Sequence, residues 1–244
     1  LERGDEPSPT RSAVLTRMSH SHLRIGTFQR LATLKQSENI QRLIDYSVRN
    51  YFPDLLSQAS ESTPELAALF FRRVSENLCG LAAQYMLSGF VHGVLNSDNM
   101  NITGESFDYG PYRFLPTYDI RFTAAYFDHS GLYCYGRQPS AIHWNVSQLG
   151  LALKAAHPQL PVEEILHDFG DLFTDRCLEL FLRRLNLTAQ DPVTDQELMN
   201  QYFQWMHTTQ APFEQVFFDL HSGVNEERLK KSPLHDLYTS ENFK

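Results

Sequence analysis

Apolar residues recur at intervals of three and four along most of the chain, which is the spacing of one face of an α-helix. In the segment Ser37–Tyr51 these positions are Ile40, Leu43, Ile44 and Val48. The pattern predicts an amphipathic helix over this segment, with its apolar face turned toward a core.

The clearest predicted helix begins after Thr63, a residue type that caps helix N-termini, with Pro64 in the first helical position. Apolar residues then recur at helical spacing from Leu66 to Tyr85, and Gly89 supplies a stop signal. We expect this helix to lead directly into residues 90–115, which contain the candidate catalytic side chains.

The second half of the chain is predicted to be almost wholly helical. Its candidate helices are Ala141–Ala156, Pro161–Leu172, Asp175–Leu185, Asp195–His207 and Pro212–His221. A capping box formed by Thr194 and Glu197 predicts the start of the fourth of these. The expected fold class is therefore mainly α with a small β component.

Composition narrows the function classes. The chain has 244 residues, 42% of them hydrophobic, and a net charge of -8, which gives no chain-wide electrostatic basis for binding nucleic acid. No apolar run approaches the ~18–20 residues that cross a bilayer, so no membrane partner is expected. Cys79, Cys134 and Cys177 form no CxxC pair, and we expect buried, reduced thiols in a cytosol-like compartment.

Oxygen-bearing side chains are dense just after the long helix. Residues 92–99 read HGVLNSDN, and residues 108–110 read DYG. A short hairpin around Thr103 and Gly104 would bring Asn99 and Asp108 together as oxygen ligands of one hard cation. Magnesium takes one or two carboxylates together with phosphate oxygens and water, which is the ligand set that holds a nucleoside triphosphate. The alternative is a loop whose Asn and Asp side chains only cap turns.

The layout of a helix, a loop, a short hairpin and Asp-x-Gly resembles a protein kinase. When the loop is aligned on Asn99, the position of the kinase general base falls on Val94, which cannot accept a proton. A carboxylate stands instead at Asp98. The segment is therefore either that of a pseudokinase or that of an enzyme with different chemistry on the same scaffold.

The run HGVLNSDNMNITGESFDYGPYRFL at residues 92–115 is similar to the signature of the selenoprotein O (YdiU) family, whose kinase-like members transfer AMP. Two flanking blocks agree: RMSHSHLR followed by IGTFQ at residues 17–29, and HSGLY, Gln138-Pro139 and Trp144-Asn145 further on. The resemblance is strong from about Ala13 to Leu153 and weaker, but in the same order, to about His221.

The resemblance implies a protein adenylyltransferase that moves AMP from ATP to Ser, Thr or Tyr hydroxyls of proteins. It implies Asp98 as general base, Asn99 and Asp108 as ligands of Mg²⁺ or Mn²⁺, and contact between Asp108 and the nucleotide. It also implies that Arg17 and Arg24 hold the terminal phosphate of an ATP bound in a flipped orientation. Without the resemblance, the two arginines would be read as surface salt-bridge partners.

Three regions are expected. Residues 1–36 would be a remnant of an N-lobe and hinge with the phosphate-contacting arginines, residues 37–150 a kinase-like C-lobe, and residues 151–244 a helical C-terminal extension. The chain does not begin with Met, and the family's glycine-rich loop, strand lysine and paired glutamate are expected before Leu1. The expected location is the bacterial cytoplasm, or the mitochondrion for a eukaryotic member.

Two other functions remain open from the sequence: a kinase-like phosphotransferase with a relocated base, and a non-catalytic pseudokinase scaffold. His20 and His22 lack a Cys or carboxylate partner at metal-site spacing, so they are expected to structure a loop. His92 is expected to hold its loop by hydrogen bonds and not to act as the base.

Overall fold

A computed structural model describes residues 14, 16–240 and 243 of the chain. Residues 1–13 and residue 15 of the predicted N-terminal region lie outside this description. The helices are α1 (Ile25–Thr33), α2 (Ser37–Tyr51), α3 (Pro64–Ser88), α4 (Gln138–Leu153), α5 (Val162–His167), α6 (Phe169–Leu185), α7 (Pro192–Thr209), α8 (Phe213–Asp219), α9 (Glu226–Lys231) and α10 (His235–Tyr238). The strands are β1 (Phe90–His92) and β2 (Tyr112–Phe114).

The two best-marked helices of the sequence have the predicted bounds. Helix α2 spans the predicted segment, and α3 begins at Pro64 with the Thr63 hydroxyl accepting a hydrogen bond from the Leu66 amide at 3.2 Å. Gly89 ends α3 in the left-handed conformation, with φ +64°, which a residue with a side chain adopts only at a cost. Local signals were sufficient here because cap, apolar face and stop all agree.

Two predictions in the second half were wrong in detail. Pro161–Leu172 is not one helix, because α5 ends at His167 and α6 begins at Phe169 and continues through the predicted Asp175–Leu185. The capping box at Thr194 is not the start of α7. Asp191 is the N-cap and accepts hydrogen bonds from the amides of residues 193 and 194, with Pro192 in the first helical position.

Helix α3 packs most extensively against α6 and α4. One core cluster joins α1–α5 around the fully buried Phe28 and Phe70, whose ring centroids are 5.8 Å apart. A second cluster joins the end of α3 to α6, α7 and α8 around Phe181 and Phe217. Burial of this apolar surface is the main term that stabilises the helices.

Strands β1 and β2 form an antiparallel pair in which Phe90 faces Phe114 and His92 faces Tyr112. The chain between them, residues 93–111, contains the residues that the sequence analysis predicted as the general base and the metal ligands. The expectation of a mainly helical fold with a small β component is confirmed. The kinase-like C-lobe and the three-region division stay predictions.

All three cysteines are free and buried, as the sequence predicted. Burial raises the pKa of Cys79 to about 11 and that of Cys177 to about 12. These thiols are therefore protonated at neutral pH and behave as apolar core groups. Among the described residues, no helix combines the length and apolarity that a membrane crossing requires.

Candidate active site

His92 fixes the start of the loop that carries the candidate catalytic residues. Its side chain is fully buried, and its Nδ1 accepts a hydrogen bond from the Val94 amide at 3.2 Å. Its Nε2 therefore carries the proton and donates to the carbonyl of Phe107 at 2.9 Å. Burial lowers the pKa of His92, so the ring is neutral and ties the 92–99 loop to the segment before Asp108.

Two buried amides from α4 hold the other side of the same loop. Gln138 accepts a hydrogen bond from the His92 amide and donates to the Phe90 carbonyl, both at 2.9 Å, so it takes the place of a further strand beside β1. Asn145 donates to the Leu95 carbonyl at 2.8 Å. From the sequence, both residues were noted only as part of a block that resembles the selenoprotein O family. In the structure, their side chains bind the backbone of the loop and of β1.

Asp98 lies in a single 3₁₀ turn, Ser97–Asn99, that begins with the Asn96 side chain accepting a hydrogen bond from the Asp98 amide at 3.0 Å. The Asp98 side chain is exposed, as a residue that exchanges a proton with substrate must be. It lies against Gly26 in the first turn of α1, where a β-carbon would be 3.0 Å from Asp98 Cγ and would overlap its Oδ1. No role for Gly26 was predicted from the sequence.

Asn99 and Asp108 are brought together. Their side chains are joined by a hydrogen bond of 2.9 Å from Asn99 Nδ2 to Asp108 Oδ2. The turn that joins them closes as predicted, with a bridge between Met100 and Ser106 and Gly104 at φ +73°. Asp108 itself has φ +57°, a strained conformation for a residue with a side chain and one that recurs at functional sites.

This pair suits a divalent cation. Asn99 Oδ1 is buried and has no hydrogen-bond partner in the described part of the chain, and rotation of the amide would exchange it with Nδ2 and turn it toward Asp108. Neighbouring ligands of an octahedral Mg²⁺, each ~2.0–2.1 Å from the ion, lie about 2.9 Å apart. Within residues 16–240, no three His, Cys, Asp or Glu side chains converge on a metal position, so the remaining ligands would be phosphate oxygens and water.

Arg17, Arg24 and Asp108 line one cleft of about 460 Å³, together with His22, Phe107 and Tyr109. The Arg17 guanidinium lies over the rings of Phe107 and Tyr109, 5.7 and 5.6 Å from their centroids, and its buried Nη1 has no hydrogen-bond partner among the described residues. Arg24 Nη1 lies 3.5 Å from the Asp98 carbonyl. The expectation of ordinary surface ion pairs does not fit either arginine, because neither pairs with a carboxylate in the described residues.

The two guanidinium groups and one metal-ligand candidate, Asp108, thus line one open cleft, and Asn99 is hydrogen-bonded to Asp108. Guanidinium groups bind phosphate through fixed, charge-assisted hydrogen bonds. His20 pairs with Glu105, and His22 contacts the Phe107 ring edge-on at 5.8 Å.

Comparison with known proteins identifies relatives of this chain. The chain is 42% identical over 225 residues to a protein nucleotidyltransferase YdiU of Synechocystis sp., covering 90% of this chain and 47% of the relative. The Gloeobacter violaceus protein of the same name is 44% identical over 217 residues, covering 89% of this chain and 44% of the relative. The Maridesulfovibrio salexigens protein of that name is 36% identical over 227 residues, covering 90% and 45%.

The chain thus spans about half the length of the curated relatives it matches. A family model described as Protein adenylyltransferase SelO matches residues 1–241. The predicted resemblance is confirmed: this chain belongs to the protein adenylyltransferase SelO family.

Proposed function

We propose that the full-length protein transfers AMP from ATP to hydroxyl groups of Ser, Thr or Tyr in proteins, with Mg²⁺ or Mn²⁺ as cofactor. The observation that carries the proposal is the 2.9 Å pairing of Asn99 with Asp108, beside the exposed Asp98 and in the same cleft as the two arginines. Family membership supports a nucleotidyl transfer, and the site chemistry supports ATP as the donor.

In this reaction the substrate hydroxyl oxygen attacks the α-phosphorus of ATP, and the bond from that phosphorus to the bridging oxygen of pyrophosphate breaks. Asp98 accepts the proton of the hydroxyl, which raises the nucleophilicity of the oxygen. Arg17 and Arg24 hold the terminal phosphate, so the α-phosphate is the one that lies near Asp98. A divalent cation held by Asn99 and Asp108 would supply neutralisation of the phosphate charge.

Each protein residue has a separate task in this scheme, and the structure keeps the tasks apart. The Asn99 and Asp108 side chains face each other, whereas the Asp98 carboxylate faces Gly26. A base that also ligated the cation would lose basicity, because a nearby positive charge lowers a carboxylate pKa. A location in the bacterial cytoplasm, or in the mitochondrion for a eukaryotic member, belongs to the same proposal.

Parallel assays with α-labelled and γ-labelled ATP test the reaction class. The proposal predicts that the full-length protein incorporates only the α-label into protein, and that Asp98→Ala lowers incorporation by about 10²–10⁴-fold, the usual contribution of a general base. Incorporation of the γ-label would establish instead a phosphotransferase. No incorporation of either label would leave the pseudokinase scaffold as the function.

A further inference from the structure

Glu105 accepts several hydrogen bonds from the segment between Arg17 and Arg24. Its carboxylate accepts from the Ser19 hydroxyl at 2.8 Å, the His20 amide at 3.1 Å, His20 Nδ1 at 2.8 Å and the Thr103 hydroxyl at 2.8 Å. Three of these four contacts cross from the 100–108 turn to residues 19 and 20. No role for Glu105 was apparent from the sequence.

The contacts require an ionised carboxylate. Burial opposes ionisation of Glu105, but the hydrogen bonds from His20, Ser19 and Thr103 outweigh it and lower the pKa to about 2. A carboxylate has only acceptors, and each partner here offers a proton. Charge-assisted hydrogen bonds of this kind are about twice as strong as neutral ones.

The segment from Arg17 to Arg24 is held in two different ways along its length. Near Arg24, backbone hydrogen bonds hold the segment. The Ile102 amide donates to the Leu23 carbonyl and the Ile25 amide to the Met100 carbonyl, both at 3.0 Å. Near Arg17 no comparable backbone pairing occurs in the described residues. Glu105 attaches that end through Ser19 and His20, together with Asn101, whose Nδ2 lies 3.2 Å from Ser19 Oγ and 3.1 Å from the Ser21 carbonyl.

Arg17 lies two residues before Ser19, so the hydrogen bonds that Glu105 accepts from Ser19 and His20 hold the backbone next to it. Its guanidinium contacts two aromatic rings, and within the part of the chain that the structure describes it has no ion pair and its buried Nη1 has no hydrogen-bond partner. We propose that Glu105 is a positioning residue that fixes Arg17 for contact with the terminal phosphate of the bound triphosphate. The inference rests on the proposed function, because it names what anchors the phosphate contact of that site.

Glu105→Gln tests the role with little change of shape. The amide keeps one acceptor but turns an NH₂ group toward donors from Ser19 and His20. We expect KM for ATP to rise about 5- to 30-fold, with kcat little changed, because a phosphate contact of the ground state is weakened and the base is untouched. Glu164→Gln, at an exposed glutamate in α5, is the matched control and should change neither constant.

A double-mutant cycle separates positioning from general loosening. If Glu105 acts through Arg17, then Glu105→Gln added to Arg17→Ala raises KM no further, whereas added to Arg24→Ala it raises KM by nearly its full factor. Full additivity with Arg17→Ala would overturn the inference. So would a fall in kcat with KM unchanged.

Binding of inorganic tripolyphosphate, measured by calorimetry on the full-length protein, tests the same point without any transfer reaction. Weaker binding by Glu105→Gln supports the inference even if AMP transfer is not found; equal binding, or no binding by the unaltered protein, contradicts it. If the unaltered protein transfers AMP and Glu105→Gln binds tripolyphosphate with unchanged affinity, this inference is contradicted while the proposed function is supported. If Glu105→Gln does not fold, Ser19→Ala removes a single donor and must weaken tripolyphosphate binding in the same direction.

Discussion

Asp98 packs its carboxylate directly against the bare Cα of Gly26, with space for no additional atom between them. A β-carbon at position 26 would lie 3.0 Å from Asp98 Cγ and closer still to its Oδ1. Gly26 is the second residue of α1, so the candidate base is positioned by the first turn of a helix 72 residues earlier in the chain. Helix N-termini favour negative charge, so the first turn of α1 suits a carboxylate at this position.

Gly26→Ala is predicted to lower activity without lowering stability. The new methyl group displaces the Asp98 side chain, and misplacement of a catalytic group by about 1 Å costs on the order of 10²-fold in rate. Alanine is the better helix former, so the melting temperature should hold or rise. Kinetics of AMP transfer together with thermal melting check both parts.

The matched control is Gly170→Ala, at the equivalent second position of α6, where an added β-carbon meets no atom within 4 Å. It should leave activity unchanged. A normal rate of AMP transfer by Gly26→Ala would contradict the claim that the contact with Gly26 sets the position of the Asp98 side chain.

Gln138→Leu is predicted to destabilise the fold and to impair the site. The substitution keeps the volume but leaves the His92 amide and the Phe90 carbonyl buried without partners, at a cost of at least about 2 kcal/mol. Urea unfolding measures the loss, and Gln201→Leu on the exposed face of α7 should stay within about 0.5 kcal/mol. Equal effects of the two substitutions would exclude the strand-like role of Gln138.

The stabilisation from Glu105 is predicted to depend on pH. Its pKa is lowered to about 2 in the folded protein, whereas an unfolded chain titrates near 4.3. Its contribution is therefore complete above about pH 5, shrinks as the pH falls below the unfolded value, and is gone near pH 2. The difference in free energy of unfolding between the unaltered protein and Glu105→Gln should decrease from pH 6 to pH 3; a difference that grows on acidification would contradict the assigned hydrogen bonds.

Sequence was sufficient where several local signals coincide. Thr63, Pro64 and Gly89 delimit α3 without reference to the rest of the fold. The approach of Asn99 to Asp108 was also predictable, because a short turn with a glycine at a left-handed position brings its ends together.

Sequence was insufficient where a contact joins distant positions. Gln138 lies 46 residues from His92, and Glu105 lies 86 residues from Ser19, so no periodicity indicates either hydrogen bond. The pairing of β1 with β2 was missed because three-residue strands are too short to show an alternating pattern. At α7 two capping signals compete, and the one at Asp191 prevails because Pro192 is suited to the first helical position.

The central claim is that Asn99 and Asp108 hold one divalent ion while Asp98 stays free. Paramagnetic resonance of Mn²⁺, titrated into the full-length protein with a non-hydrolysable ATP analogue, tests it most directly. The account predicts that Asn99→Ala and Asp108→Ala weaken Mn²⁺ binding by more than the 10- to 100-fold that loss of an outer-shell partner costs, and that Asp98→Ala binds Mn²⁺ normally. Undiminished Mn²⁺ affinity in both Asn99→Ala and Asp108→Ala would contradict it.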